Sequence, residues 1–181
     1  MAKMNESLNM IVTLIVIAVV VALALSGVNG LTKAKIEQND IVKLNNSLKS
    51  VLPADSYDVV QDNESGIVYE AKKDGKVVGY CVSNVTSGYG GDLNVLTGVD
   101  VNGKVTAVEI LSHGETPGLG AKSTDDAFKG QYSGKTAGEI TVVKNSPGAS
   151  DIQAISGATI TSNAVTKAVN EAKKCIEEAT K

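Results

Sequence analysis

The sheet of this protein is predicted most directly by residues 66–85, which read GIVYEAKKDGKVVGYCVSNV. Two runs rich in β-branched and aromatic residues, Gly66 to Lys72 and Val77 to Val85, flank the tripeptide Lys73-Asp74-Gly75. Asp-Gly between two such runs is a strong signal for a tight hairpin turn. We therefore expect these two runs to pair as antiparallel strands.

A second hairpin is predicted farther along the chain. Val95 to Val101 and Lys104 to Ser112 are both β-rich, and Asn102-Gly103 joins them. Asn-Gly favours the same class of turn, because both of its residues tolerate a positive φ. Glu139 to Lys144 (EITVVK) is predicted as a further short strand.

Two helices are predicted on either side of these strands. Ala34 to Leu52 carries apolar residues at spacings of three and four, and Pro53 ends it. This helix is either a stalk or the first helix of the domain, with its apolar stripe on the core. Ser162 to Ala179 is the second helix. The fold class is therefore α+β, with an antiparallel sheet and helices packed against one face.

The N-terminal part of the chain is predicted to be a membrane anchor. No residue from Ser7 to Thr32 is charged, and Leu8 to Val28 is long enough to cross about 30 Å of hydrocarbon. A cleaved signal peptide is the alternative, with Ala22-Leu23-Ala24 as a possible cleavage site. The anchor is favoured because the apolar run exceeds the usual signal core of about 7 to 15 residues. Lysines flank both ends, so charge does not set the orientation.

Composition argues against several classes of function. The net charge is -3 and the chain contains no Arg, so nucleic-acid binding is not expected. His113 is the only His and has no Cys or carboxylate partner at ligand spacing, so no metal site is predicted. Cys81 and Cys175 are predicted to be buried core residues without a disulfide.

The functional site is expected in two Gly-containing loops. Asp151 to Ser162 (DIQAISGATITS) precedes the last helix, where backbone N–H groups without helical partners favour an anion. Gly157 allows close approach of the backbone, and hydroxyl side chains can bind phosphate or cap the helix. Taken alone, this segment favours capping over ligand binding. In the other loop, Pro117-Gly118 fits a type II turn that enters a helix.

Three segments nevertheless resemble the FMN-binding domain family. Ser156-Gly157-Ala158-Thr159-Ile160-Thr161-Ser162 is similar to its flavinylation motif. Residues 113–120 (HGETPGLG) resemble its second signature, and residues 87–91 (SGYGG) resemble its Gly-Tyr loop. Together with the predicted anchor, these three segments make the chain similar to the G subunits of Rnf-type electron-transport complexes. The resemblance covers roughly residues 66 to 172. The family usually has an acidic residue where this chain has Gln153, and Asp151 lies two residues earlier.

The resemblance implies a covalent cofactor. FMN would be joined to Thr159 by a phosphodiester, and a separate ApbE-type flavin transferase that consumes FAD would install it. No catalytic residue and no metal are assigned, and Lys122 is a candidate for positive charge near the reduced flavin. The other residues implied to bind the cofactor lie in the same two loops: Ser156, Gly157, Ala158, Thr161, Glu115, Thr116, Gly118 and Leu119.

The resemblance also implies a function and a location. The chain would be the electron-transfer subunit of a membrane-bound ion-translocating ferredoxin:NAD oxidoreductase, inactive alone, with other Rnf-type membrane subunits as partners. The implied organisation is a tail (1–7), an anchor (8–28), a helical stalk (29–53) and an FMN-binding domain (54–181). The domain would lie on the extracytoplasmic side of the cell membrane. Two alternatives are a C-type subunit of a sodium-pumping NADH:quinone reductase and a non-redox, membrane-tethered scaffold.

Overall fold

The computed structural model describes the backbone of residues 2–181 and the side chains of residues 8–29 and 41–181. The chain divides into two compact units, Met1–Lys43 and Leu44–Lys181. Helix α1 (Ala2–Val51) forms the first unit and begins the second. Within it, Leu8–Asn29 has a mean hydropathy of 3.0 and no buried residues. This segment is long and apolar enough to cross a membrane, and it coincides with the predicted anchor.

The second unit is built on a five-stranded antiparallel sheet whose strand order follows the sequence. Both predicted hairpins are confirmed, and Asp74 and Gly75 have the positive φ angles, 51° and 73°, that a type I′ turn requires. The sheet also contains a first strand that was not predicted. The strands are β1 (Ser56–Asn63), β2 (Gly66–Lys73), β3 (Lys76–Ser87), β4 (Asp92–Asp100) and β5 (Val105–His113).

Helices cover both faces of this sheet, whereas the prediction placed them on one face. Helix α3 (Thr159–Ala179) packs on strands β2, β3 and β4, and its Val165 and Val169 share a buried cluster with residues of β4 and β5. The end of α1 packs Leu48 and Val51 on the opposite face, against β2, β3 and β4. The reason is that successive strand residues point to opposite faces, and both are apolar here. Buried neighbours such as Cys81 and Val82 therefore belong to different clusters.

The chain between β5 and α3 leads into the candidate site. It contains a 3-10 turn at Gly120–Thr124, the short helix α2 (Asp126–Lys129) and two short strands, β6 (Thr141–Val143) and β7 (Asp151–Gln153). The predicted strand at residues 139–144 is present as β6, and it pairs in parallel with β7, which was not predicted. Strand β7 runs directly into the loop that precedes α3.

Both cysteines are buried and free, as predicted. Cys81 is fully enclosed between the sheet and the end of α1. Burial raises the pKa of its thiol to about 12. Both thiols are therefore core groups in the structure.

Candidate functional site

A cavity of about 440 Å³ brings together the three sequence segments that were singled out. Its volume falls in the range of about 300–1,000 Å³ that is usual for cofactor and ligand pockets. The segments are the β3–β4 loop, the chain after β5, and the start of α3. The lining residues are Tyr89, Glu115, Thr116, Leu119, Gly120, Gly157, Ala158, Thr159, Ile160 and Thr161.

The loop before α3 is held in shape by a turn and by one hydroxyl group. Ala158 N donates to Ile155 O at 2.9 Å, and Gly157 has a φ of 77°, which only glycine adopts readily. Ser162 Oγ accepts from Ile155 N at 2.9 Å and donates to Ala158 O at 3.0 Å. Ser162 is therefore structural: it ties both ends of the turn to the first turn of the helix.

The N-terminus of α3 is left without a cap. The N-cap residue is Ala158, and no side chain makes a capping hydrogen bond. The first helical bond runs from Ser162 N to Ala158 O, so in the described part of the chain the N–H groups of residues 159–161 have no acceptor. Unpaired N–H groups at the positive end of a 21-residue helix favour an anion. Thr159 is exposed at this point.

The hydroxyl of Thr161 is buried in the cavity wall and has no partner. The residue is 1% exposed, and among the described residues its Oγ1 makes no hydrogen bond. Burying a hydroxyl without a partner costs about 1–3 kcal/mol. Such a group is suited to bonding a polar ligand, and it lies within the same helical turn as the uncapped N–H groups. The residues present therefore fit a phosphorylated cofactor.

Glu115 is a buried carboxylate that lines the same cavity. It is 6% exposed, and its Oε1 accepts a hydrogen bond from Tyr89 N at 2.8 Å. A Cβ on Gly88 would overlap Oε1, and a Cβ on Gly120 would overlap Oε2. The glycines of two separate loops therefore make room for one carboxylate. His113 has a local role, because its Nδ1 accepts from Glu115 N at 3.2 Å.

The segment between Glu115 and Gly120 is the predicted turn. Leu119 N donates to Thr116 O at 3.2 Å, and Gly118 has a φ of 77°, as a type II turn requires. The turn exposes Leu119 toward the cavity, which exposed Tyr89 and Ile160 also line. These three side chains form an apolar rim around a polar floor.

The structure brings most of the predicted site residues together, but not all of them. Ser156 and Gly118 lie outside the cavity lining, because each occupies the exposed tip of its turn. Lys122 lines a different cavity, beside Gln153, so the suggested positive charge is not at this site. Three lining residues were not assigned to the site from sequence: Tyr89, Gly120 and Ile160. All three lie in the quoted segments, which is the signal that could have identified them.

A larger cavity of about 660 Å³ lies between α3 and residues 138–142. Its central polar group is Asn170, whose side chain accepts from Gly138 N and Ile140 N and donates to Ile140 O. Among the described residues, none that lines this cavity has an unpaired buried side-chain polar atom. Its polar groups stabilise the fold, and the smaller cavity remains the better candidate site.

Comparison with known proteins agrees with the geometry. Residues 88–174 match the model of a family described as the FMN-binding domain. The chain is 44% identical over 131 residues to the G subunit of the proton-translocating ferredoxin:NAD(+) oxidoreductase complex of Clostridium ljungdahlii, covering 72% of this chain and 71% of that protein. It is 40% identical over 177 residues to the Na(+)-translocating counterpart of Acetobacterium woodii, covering 87% and 85%.

A solved structure is also similar to this fold. The crystal structure of the C-type component of the Na(+)-translocating NADH-quinone reductase from Parabacteroides distasonis matches with a TM-score of 0.54 and 28% identity. The match covers 64% of this chain and 63% of that one, which is less than two thirds of its length.

Proposed function

Because the chain belongs to the family of G subunits of ion-translocating oxidoreductase complexes, we propose that it is the FMN-bearing electron-transfer subunit of an Rnf-type ferredoxin:NAD oxidoreductase. The observation that carries this proposal is the uncapped start of α3 beside exposed Thr159, in a cavity whose buried Thr161 hydroxyl lacks a partner. Bound FMN supplies a redox centre that accepts and donates electrons. The residues of this chain hold and orient it.

We assign Thr159 as the point of covalent attachment through a phosphodiester. Its side chain is exposed, and the adjacent N–H groups of residues 159–161 can stabilise the phosphodiester charge. The unpaired hydroxyl of Thr161 is available to donate a further hydrogen bond to the cofactor. Leu119 and Thr116 supply an apolar and a polar contact from the turn after β5.

The attachment requires a second protein. A threonine hydroxyl is a weak nucleophile without a neighbouring base, and no His lines this cavity in the described part of the chain. An ApbE-type flavin transferase would supply the activation, with FAD as the donor. The Thr159 Oγ1–P bond forms, the bond from the flavin-side phosphorus to the bridging oxygen of FAD breaks, and AMP and a proton leave.

The membrane anchor and the covalent bond to FMN are both suited to a subunit of a membrane complex. Leu8–Asn29 would hold the subunit in the cell membrane beside the other Rnf-type subunits, with the flavin domain on the extracytoplasmic side. A covalent bond makes occupancy independent of free FMN, which is advantageous where dissociated cofactor would be lost by dilution. We expect little ferredoxin:NAD turnover from the isolated subunit, because electrons must come from and go to its partners.

Two alternatives are less well supported. A scaffold function would leave Thr159 as a helix cap, but Ala158 occupies the N-cap position and Thr159 is the first helical residue. A C-type subunit of a sodium-pumping NADH:quinone reductase shares the fold, but the G subunits are more similar in sequence, at 44% and 40% identity against 28%.

The test is intact-protein mass spectrometry with peptide mapping, on full-length protein co-expressed with a flavin transferase. We expect an FMN-sized increment on the peptide containing Thr159, and its loss in Thr159→Ala. Ser150→Ala is the matched control, because it removes an exposed hydroxyl that is near in sequence but lies outside both the cavity and the segment Ser156 to Ser162. Unmodified wild-type protein beside an active transferase would refute covalent attachment. If that protein were also colourless, the scaffold alternative would be favoured.

A further inference from the structure

Glu115 is the only carboxylate that lines the flavin cavity within the described part of the chain, and no Lys, Arg or His lines it. The residue is 6% exposed and takes part in none of the described salt bridges. Its two carboxylate oxygens have different surroundings: Oε1 is bonded to the loop that carries Tyr89, and Oε2 lies at Gly120.

The first oxygen fixes the Gly-Tyr loop. Oε1 accepts from Tyr89 N at 2.8 Å, and Gly88 N donates to Gly91 O at 2.8 Å to close the turn around Tyr89. The Tyr89 side chain is 72% exposed, so packing alone does not hold it at the cavity. The hydrogen bond to Glu115 ties the backbone of this loop to the chain after β5, beside the close approach of Gly90 to Gly114.

The second oxygen lies at the cavity wall. Among the described residues, Oε2 accepts no hydrogen bond. A Cβ built on Gly120 would overlap Oε2 and lie 2.7 Å from Thr161 Oγ1. Oε2 and the Thr161 hydroxyl thus converge on the same glycine, next to the unpaired N–H groups of α3.

We propose that Glu115 is a positioning residue that fixes Tyr89 at the mouth of the cavity and, through its charge, lowers the reduction potential of the bound FMN. This inference rests on the proposed function. Reduction adds negative charge to the flavin, and a fixed negative charge lining the same cavity opposes that addition. Removing the charge should therefore make the flavin easier to reduce.

The experiment separates the charge from the hydrogen bond. Full-length protein in detergent, flavinylated by a transferase and verified by mass, is titrated with dithionite against a reference dye. Glu115→Gln keeps an oxygen that can accept from Tyr89 N but has no charge. We expect its midpoint potential to rise by the equivalent of at least a tenfold change in equilibrium constant, about 30 mV for a two-electron couple. Glu115→Asp, which keeps the charge, should stay closer to wild type.

Two further measurements complete the test. Glu139→Gln is the matched control, because it removes an exposed carboxylate outside the cavity and should leave the potential unchanged. Glu115→Ala removes the acceptor for Tyr89 N, so hydrogen exchange at this amide should accelerate at least tenfold, whereas Glu115→Gln should preserve most of the protection.

The outcomes distinguish this inference from the proposed function. Flavinylated wild type and Glu115→Gln with equal potentials would overturn the electrostatic effect while leaving the flavin attachment intact. Unchanged exchange in Glu115→Ala would overturn the positioning of Tyr89. Wild-type protein without FMN would overturn the proposed function itself, and the electrostatic effect with it.

Discussion

The unpaired hydroxyl of Thr161 predicts that a substitution in the cofactor site stabilises the flavin-free protein. Thr161→Val exchanges the buried hydroxyl for a methyl group of similar size. Both residues are β-branched, so helix propensity changes little. Because a buried hydroxyl without a partner costs about 1–3 kcal/mol, we expect the variant to gain up to that amount of unfolding free energy.

Thr166→Val is the matched control on the same helix. Thr166 is 4% exposed, but its Oγ1 donates to Ser162 O at 2.9 Å and is bonded to the Tyr132 hydroxyl at 2.8 Å. The same exchange removes both bonds and leaves the Tyr132 hydroxyl buried without its partner. We expect a loss of about 1–3 kcal/mol, so the two variants should shift stability in opposite directions.

The assay is thermal unfolding of full-length protein in detergent, followed by circular dichroism, after expression without a flavin transferase. A change of 1 kcal/mol should move the midpoint by about 2–4 °C in a chain of this size. Flavinylated protein should show a smaller gain or a loss for Thr161→Val, because the hydroxyl then has a partner. If Thr161→Val destabilises the flavin-free protein as much as Thr166→Val does, the assignment of an unpaired hydroxyl is wrong.

Three further predictions concern residues outside the candidate site. Asn170→Ala removes three hydrogen bonds to the backbone around Ile140, and we expect chemical denaturation to show a loss of about 2–4 kcal/mol in unfolding free energy. Asn170→Asp should have an intermediate effect, because it loses only the donor. The Thr141 hydroxyl bonds the Asp151 carboxylate and holds the pKa of that carboxyl below its usual value. The stability that Asp151 contributes is therefore present above about pH 4 and is lost as the pH falls through the folded-state pKa. Melting curves of wild type and Asp151→Asn should therefore differ at pH 7 and converge in acid; a constant difference would contradict this. Cys81, whose pKa burial raises to about 12, should react with a maleimide only on unfolding, and rapid labelling of native protein would contradict its burial.

Local chemistry was sufficient to predict the framework of the fold. Asp74-Gly75 and Asn102-Gly103 predict both hairpins, because turn type is encoded in two adjacent residues. The apolar run from Leu8 predicts the anchor helix by length and composition alone. Strand β1 was missed because it is an edge strand without a buried residue, and β7 because three residues carry too little pattern.

Part of the candidate site could also be predicted from the sequence, and part could not. The Ser-Gly-Ala-Thr segment and the Glu-Thr-Pro-Gly-Leu-Gly segment are readable in the sequence, and the structure places both on one cavity. Sequence could not show that Ala158 occupies the N-cap position, or that Ser162 rather than Thr159 braces the turn. These assignments depend on where the helix begins, and that boundary is set by the packing of α3 on the sheet.

The hydrogen bond between Glu115 and Tyr89 is the clearest case of a feature decided by tertiary structure. The two residues are 26 positions apart, and their contact requires the register of β3, β4 and β5 to bring both loops to one end of the sheet. Gly88 and Gly120 then leave space for the carboxylate between them. Turns and periodicity act over a few residues and can be read from the chain, whereas the surroundings of a buried charge depend on strand register and the close packing of separate loops.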